Sequence, residues 1–195
     1  MGGGNIETEV KIAVAAADEA RRRILAAGFA EIQERSFEAN DILDWPGNSL
    51  RSQGRLLRVR NARGECILTY KGPAAGEKHK SREEIETRVA DPANLAAILE
   101  RLGMSRTLRY EKYRTEFARP GDAGVVTIDE TPIGAFLELE GPPDWIDATA
   151  KRLGFDESAY VTLSYARLYT EWCAAQGREP GIGMVFTASA PPRDS

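Results

Sequence analysis

Apolar and polar residues alternate one by one over much of this chain, and the alternation gives way at intervals to runs of helical spacing. Successive side chains of a strand point to opposite faces, so a period of two predicts strands. Ile6 to Ala13 alternates in this way. A helical stretch then runs to Ala27, with Asp18 as its expected cap and Gly28 as its stop. Phe29 to Leu43 reads as an extended, polar-rich segment, and Pro46-Gly47-Asn48 as a turn. Alternation resumes over Arg55 to Asn61. After an expected hairpin turn at Asn61-Ala62-Arg63-Gly64 it continues over Glu65 to Lys71. A loop from Gly72 to Lys78 leads to a strand from Ser81 to Ala90.

Asp91-Pro92 predicts a helix start, with Asp91 as the cap and Pro92 in the first helical position. Leu95, Ile98, Leu99 and Leu102 repeat at helical spacing, and Gly103 ends the run. Three strands are expected next, over Thr107 to Ala118, Val125 to Glu130 and Phe136 to Glu140. Pro142-Pro143 breaks the pattern, and helices are expected over Trp145 to Leu153 and Glu157 to Ala175. From Gly177 onward Gly, Pro and Ser dominate, so residues 177–195 read as a disordered tail and 1–4 as a loose start.

The chemistry lies in which residues share a face. Glu7, Glu9 and Lys11 lie on one side of the first strand, with Ile6, Thr8, Val10 and Ile12 on the other. Arg58 and Arg60 oppose Leu57 and Val59. Arg82, Glu84, Glu86 and Arg88 share a face, as do Lys112, Arg114 and Glu116, and then Glu138 and Glu140. A half-buried strand normally turns its charged face to water, and each strand alone fits that reading. As a set they fit it poorly, because ionisable residues recur at strict two-residue spacing on five strands. Arginine pairs suit bidentate grip on phosphate oxygens, and glutamate pairs suit hard divalent cations. Turned inward, these faces would line a polar barrel, with the apolar faces packed beneath the helices.

Composition narrows the picture. A chain of 195 residues suits one compact domain, and a net charge of -4 opposes general nucleic-acid binding. A pocket can still gather positive charge that the whole chain lacks. No apolar run approaches a membrane span and none resembles a signal peptide, so a cytoplasmic protein is expected. Cys66 and Cys173 have no metal-ligand spacing and are expected to be two buried thiols. His79 reads as a solvated residue of a loop, Gly76 to Lys80, that could close as a basic lid. Arg21-Arg22-Arg23 reads as a solvated helix face. The three tryptophans are expected in the core or at a dimer contact.

In these residues the chain resembles the CYTH domain, or triphosphate tunnel metalloenzyme, family, which includes class IV adenylyl cyclases and thiamine triphosphatases. The resemblance opens on Glu7-Thr8-Glu9-Val10-Lys11 and continues through Leu57-Arg58-Val59-Arg60 and Leu68-Thr69-Tyr70-Lys71-Gly72-Pro73. It runs on through Arg82-Glu83-Glu84-Ile85-Glu86, Glu111-Lys112-Tyr113-Arg114 and Ile128-Asp129-Glu130. It ends at Phe136-Leu137-Glu138-Leu139-Glu140-Gly141 and Ser164-Tyr165.

The resemblance implies an α+β fold: a closed eight-stranded antiparallel β-barrel tunnel with helices packed outside, over residues 5–176. It implies Mg²⁺ or Mn²⁺ held by Glu7, Glu9, Glu138 and Glu140. Phosphates would be held by Lys11, Arg58, Arg60, Lys71, Arg82, Lys112 and Arg114. Lys11, Glu84, Glu86 and Asp129 are the candidate catalytic groups. The expected partner is a small molecule bearing a triphosphate, with no nucleic acid or membrane, and the family often forms homodimers. Hydrolysis of tripolyphosphate, a nucleoside triphosphate or thiamine triphosphate ranks ahead of cyclisation of ATP to cyclic AMP and pyrophosphate. A non-catalytic polyphosphate- or nucleotide-binding module is the lesser alternative.

Overall fold

The computed structural model describes residues 5–187; the expected loose start and the last eight residues of the expected tail lie outside them. The strands are β1 (Asn5–Val14), β2 (Ala30–Asp44), β3 (Leu56–Ala62), β4 (Glu65–Lys71), β5 (Lys80–Arg88), β6 (Ser105–Ala118), β7 (Val125–Thr131), β8 (Gly134–Glu140) and β9 (Gly183–Met184). The helices are α1 (Ala17–Ala26), α2 (Ser49–Ser52), α3 (Pro92–Arg101), α4 (Pro143–Arg152) and α5 (Tyr165–Ala175).

Eight strands follow one another in the order β2-β3-β4-β5-β1-β8-β7-β6, and β2 pairs with β6 to close the ring. Every pairing among these eight is antiparallel. Closure of the sheet rests on β2, the longest strand. Its register against β6 shifts between Glu31 and Gln33, between Gln33 and Ser36, and between Ile42 and Leu43. Such irregularities add local twist, and twist lets a sheet curl until its edges meet.

The alternation resolves as the inward reading expects. Val10, Ile12, Val126, Ile128, Leu137 and Leu139 point outward and are buried with Ala20 and Ile24 of α1 and Ile146 and Ala150 of α4. Trp145 packs on this core and donates from Nε1 to Asp122 at 3.0 Å. Its ring passes so close to Gly124 that a Cβ there would lie 2.5 Å from it. The outer face of β5 and the start of β1 has no such cover, and Ile85 and Ile6 stay 48% and 70% exposed. A second buried cluster, Leu108, Tyr110, Phe136, Tyr165 and Met184, lies against α5.

Several local expectations need correction. Asp18 falls inside the first turn of α1, whose cap is Ala16 without a side-chain bond. Pro142 and Pro143 begin α4 instead of merely breaking the pattern: Pro143, lacking an N–H, fills a first-turn position where none is needed. The long helix expected from Glu157 starts only at Tyr165. A 3₁₀ turn (Glu157–Ala159) is followed by extended residues, because Val161 exchanges backbone hydrogen bonds with Lys11 of β1 at 2.9 and 2.8 Å. Ser164 then caps α5 by accepting from the Arg167 N–H. Within the segment expected to lack structure, β9 pairs in parallel with β6, and Met184 is 1% exposed.

Other readings hold. Asp91 accepts from the Asn94 N–H at 2.9 Å and Pro92 opens α3. The hairpin turn has Arg63 and Gly64 at φ 53° and 76°, the left-handed pair that a tight two-residue connection requires. Both cysteines are free and buried. Arg22 and Arg23 pair with Glu19 on the helix surface. No helix among the described residues is long and apolar enough to cross a membrane.

Candidate functional site in the barrel lumen

The inward faces of the strands enclose one cavity, and eight basic and six acidic side chains line it. The bases are the seven expected phosphate ligands together with Lys80, and the acids are Glu7, Glu9, Glu84, Glu86, Glu138 and Glu140. Strand register places them. On β1, Glu7 lies opposite Arg82 and Glu9 opposite Lys80 of β5, while Glu9 and Lys11 lie opposite Glu140 and Glu138 of β8. Four glutamates thus gather on two neighbouring strands. β3, which carries Arg58 and Arg60, stands on the far side of the ring from β8.

The charges compensate one another in chains. Lys11 Nζ lies 3.0 Å from Glu9 and 3.1 Å from Glu138. Lys80 donates to Glu9 at 2.8 Å, and Lys71 donates to Glu7 at 2.5 Å. Arg58 and Arg60 reach Glu86 at 3.3 and 3.4 Å. Asp129, with no solvent exposure, accepts from Arg114 twice at 2.6 Å, from Lys112 at 2.8 Å and from the Tyr165 hydroxyl at 2.7 Å. Arg114 also bonds Glu138. Asp129 therefore anchors the cations from behind and is absent from the cavity lining, unlike Glu84 and Glu86.

Burial and charge set the protonation states. Burial alone would raise Glu9 and Glu138, but Lys11 beside both, joined by Arg114 at Glu138, holds them below the usual carboxylate range. For Glu84 burial wins: with Glu7 adding repulsion, its carboxyl is pushed up to about 7 against the pull of Lys71. Glu140 forms no ion pair among the described residues. It lies at an exposed edge, yet its crowded surroundings and the carboxylates of Glu7 and Glu138 also push it up to about 7. Lys80 is lowered to about 8 by burial, with Lys11 and Arg82 opposing its charge and Glu9 supporting it.

Glu84 and Glu140 keep a proton in the folded chain at pH values where the unfolded chain has lost it. Their contribution to stability is therefore present near pH 5 and lost as pH rises through about 7. The low-lying Glu9 and Glu138 act the other way, but only in more acid solution. Without added metal, the thermal midpoint is expected to drop by a few degrees between pH 5.5 and 8. Calorimetry at several pH values checks this, and a midpoint that rises over that interval would contradict it.

Sequence reasoning missed several lumen groups. Lys80, in the expected loop, is the first residue of β5. Glu38 and Asn40 of β2 are 5% and 0% exposed, on a segment read only as extended. Glu38 lies 3.5 Å from Lys112, and burial, outweighed by Lys112 and Arg114, leaves its carboxyl at about 2. The alternation of Glu38, Asn40 and Ile42 was the available signal. Tyr165, a motif residue whose partner the sequence does not reveal, bonds Asp129. His79 is half-buried instead of solvated, with Nε2 2.8 Å from Asp147 of α4. Lys78 bonds Asp147 at 2.8 Å and Glu157 at 2.5 Å, so the expected lid is fastened to the outside of the barrel.

Among the described residues no three acidic, cysteine or histidine side chains converge as a ready-made metal cage. The donor set nevertheless fits a hard cation. It is all oxygen, and Glu140 forms no ion pair among the described residues, with the repulsion of Glu7 and Glu138 only partly offset by Arg114.

Comparison with known proteins accords with this geometry. "Putative adenylate cyclase MJ0240" of Methanocaldococcus jannaschii is 29% identical over 135 residues, covering 69% of this chain and 76% of that protein. The solved structure of a Vibrio parahaemolyticus protein, also called a putative adenylate cyclase, has a TM-score of 0.74 at 21% identity, covering 85% of this chain and 98% of that one. A Hippeastrum protein, HpAC1, described as having a dominant triphosphatase activity, has a TM-score of 0.62 at 17% identity, over 88% of this chain and 96% of that one. These two likenesses establish the fold. The CYTH domain model matches residues 5–151 of this sequence, and the chain belongs to the CYTH domain family.

Proposed function

We propose that this chain is a divalent-metal-dependent phosphohydrolase whose substrate carries a triphosphate held inside the barrel. The observation that carries the reading is the lumen itself, where eight bases and six acids line one cavity and two of the acids have raised carboxyls. That excess of positive charge suits a polyanion. Arg58, Arg60 and Arg82 present planar donors, and Lys11, Lys71, Lys80, Lys112 and Arg114 present the rest, so a phosphate chain would find donors on several sides.

Glu7, Glu9, Glu138 and Glu140 are the groups that would hold Mg²⁺ or Mn²⁺. Such an ion would supply positive charge to offset the charge that develops on the phosphate oxygens. The chain's own contribution is positioning and charge stabilisation, which dominate phosphoryl transfer. Lys11, Lys71 and Lys80 pair with neighbouring carboxylates. A phosphate chain would take over Lys71 from Glu7 and Lys80 from Glu9, which frees those carboxylates toward the cation. Glu84, paired with Lys71 and Arg58, and Glu86, paired with Arg58, are the groups that would orient a water or take its proton. Asp129 acts through Arg114 and Lys112, which it holds in place, and is a positioning residue.

The second reading is cyclisation of ATP, favoured by the name of the M. jannaschii relative; the triphosphatase activity described for HpAC1 favours hydrolysis. Incubation with ATP, tripolyphosphate and thiamine triphosphate, with Mg²⁺ or Mn²⁺, separates the two. Orthophosphate as product supports the hydrolase, and cyclic AMP with pyrophosphate selects the cyclase. Binding without turnover of any of the three would leave only a binding module.

A further inference from the structure

We propose that Asp147, on the outside of the barrel, is a positioning residue for the triphosphate site: through His79 it fixes where Lys80 stands in the lumen. The proposal rests on the reading of Lys80 as a phosphate donor and deepens it by naming what holds that donor in place.

Lys80 is the first residue of β5, and its pairing with Glu9 is the last in the β1–β5 register. Two residues further along β1, Lys11 exchanges backbone hydrogen bonds with Val161 instead. Lys80 therefore stands at a strand end, where a ladder opens most easily. Backbone bonds between Ala75 and Ser81, at 2.7 and 2.9 Å, hold one side of the loop that leads to it.

Side chains hold the other side, and Asp147 of α4 gathers them. Its Oδ1 accepts from His79 Nε2 at 2.8 Å and from the Tyr160 hydroxyl at 3.0 Å, and its Oδ2 accepts from Lys78 at 2.8 Å. The His79 ring lies against that of Tyr160, with centroids 5.9 Å apart. Tyr160 is itself tied to the barrel, because the next residue, Val161, is the one bonded to Lys11. Lys78 and its second partner Glu157 are 41% and 66% exposed, and ion pairs so open to water contribute little. The His79 side chain is only 12% exposed, so the hold comes from His79, Asp147 and Tyr160.

His79 and Lys80 are neighbours in the chain, so the outer anchor sits one residue from the inner cation. Inside, the Lys80 ammonium is held by Glu9 Oε1 at 2.8 Å, the same oxygen that Lys11 reaches at 3.0 Å. A phosphate that takes this ammonium from Glu9 releases the inner hold, and the root of the side chain must then be kept in place from outside. Misplacing a binding group by about 1 Å can cost up to 10²-fold.

The test is a double-mutant cycle of Asp147→Ala and Lys80→Ala. It reads equilibrium binding, with Mg²⁺, of the imido analogue of tripolyphosphate, which resists hydrolysis. Asp147→Ala is expected to weaken binding roughly tenfold in the otherwise wild-type chain, and less than about twofold once Lys80 is alanine. Asp147→Asn keeps an oxygen for His79 and Tyr160 and is expected to recover most of the loss. Equal effects of Asp147→Ala in the two backgrounds would make its role purely structural and overturn the proposal. So would an affinity for Asp147→Ala within about twofold of wild type. His79→Phe, which keeps the ring and loses the bond, carries the same cycle if Asp147→Ala does not fold. Failure of the underlying reading looks different: the wild-type chain would not bind the analogue, or Lys80→Ala would bind it as tightly as wild type.

Discussion

A Glu138→Gln variant is expected to lose turnover by a factor on the order of 10³ while remaining folded. Glu138 is 7% exposed and is held by Lys11 at 3.1 Å and by Arg114. Glutamine keeps the shape but turns an NH₂ group toward one of two cations and removes the charge proposed to face the metal. Loss of one preorganised charged group from a water-poor site is worth about 10²–10³ in rate. The same change leaves a buried cation short of a partner, which costs about 1–3 kcal/mol in stability. Initial rates of phosphate release and thermal midpoints, measured on one preparation, separate the two effects. A variant that retains wild-type turnover would remove Glu138 from the proposed machinery. Glu9→Gln is expected to act in the same way, because Glu9 accepts from Lys11 and Lys80.

Arg114→Met is expected to remove one of the proposed phosphate donors and, with the larger effect, to lower stability. Arg114 makes two bonds to Asp129 and one to Glu138, with both carboxylates buried. Methionine replaces the stem but not the guanidinium. Asp129 then keeps only Lys112 and the Tyr165 hydroxyl, and Glu138 keeps Lys11. Breaking a buried ion cluster from one side costs about 3–5 kcal/mol, because the remaining carboxylates are left with less compensating positive charge in a poor solvent. For a chain of this size that is a drop of the order of 10 °C in thermal midpoint. Adding Asp129→Asn is expected to recover part of the loss, since it removes the stranded charge. Denaturation of the single and double variants checks this; a single variant within 1 kcal/mol of wild type would mean that the cluster contributes little to the fold.

Where sequence reasoning went astray, a contact from far along the chain had decided the local structure. Residues 160–164 have helical composition on both sides, yet Val161 is drawn into extended backbone by its hydrogen bonds to Lys11, 150 positions earlier in the chain. Met184 lies in a segment whose composition resembles a loose tail, and it is buried because β9 adds to β6. Lys78 and His79 looked free to cover the site, but Asp147 and Glu157 on the barrel's exterior hold them. Nothing near any of these residues in sequence signals its partner.

The sequence by itself determined seven of the eight barrel strands, through period-two alternation, and most of the charged residues that face the cavity, through their shared parity. It also carried the motifs that mark the family. It could not determine which face of each strand turns inward, because alternation looks the same in a barrel with a polar lumen and in a sheet with a polar surface. That choice is collective. It is made when β2 pairs with β6, when α1 and α4 cover the apolar faces, and when eight bases and six acids are left to neutralise one another inside. The tertiary structure alone brought Lys80 to Glu9 and Tyr165 to Asp129, since each of these meetings depends on closure of the ring.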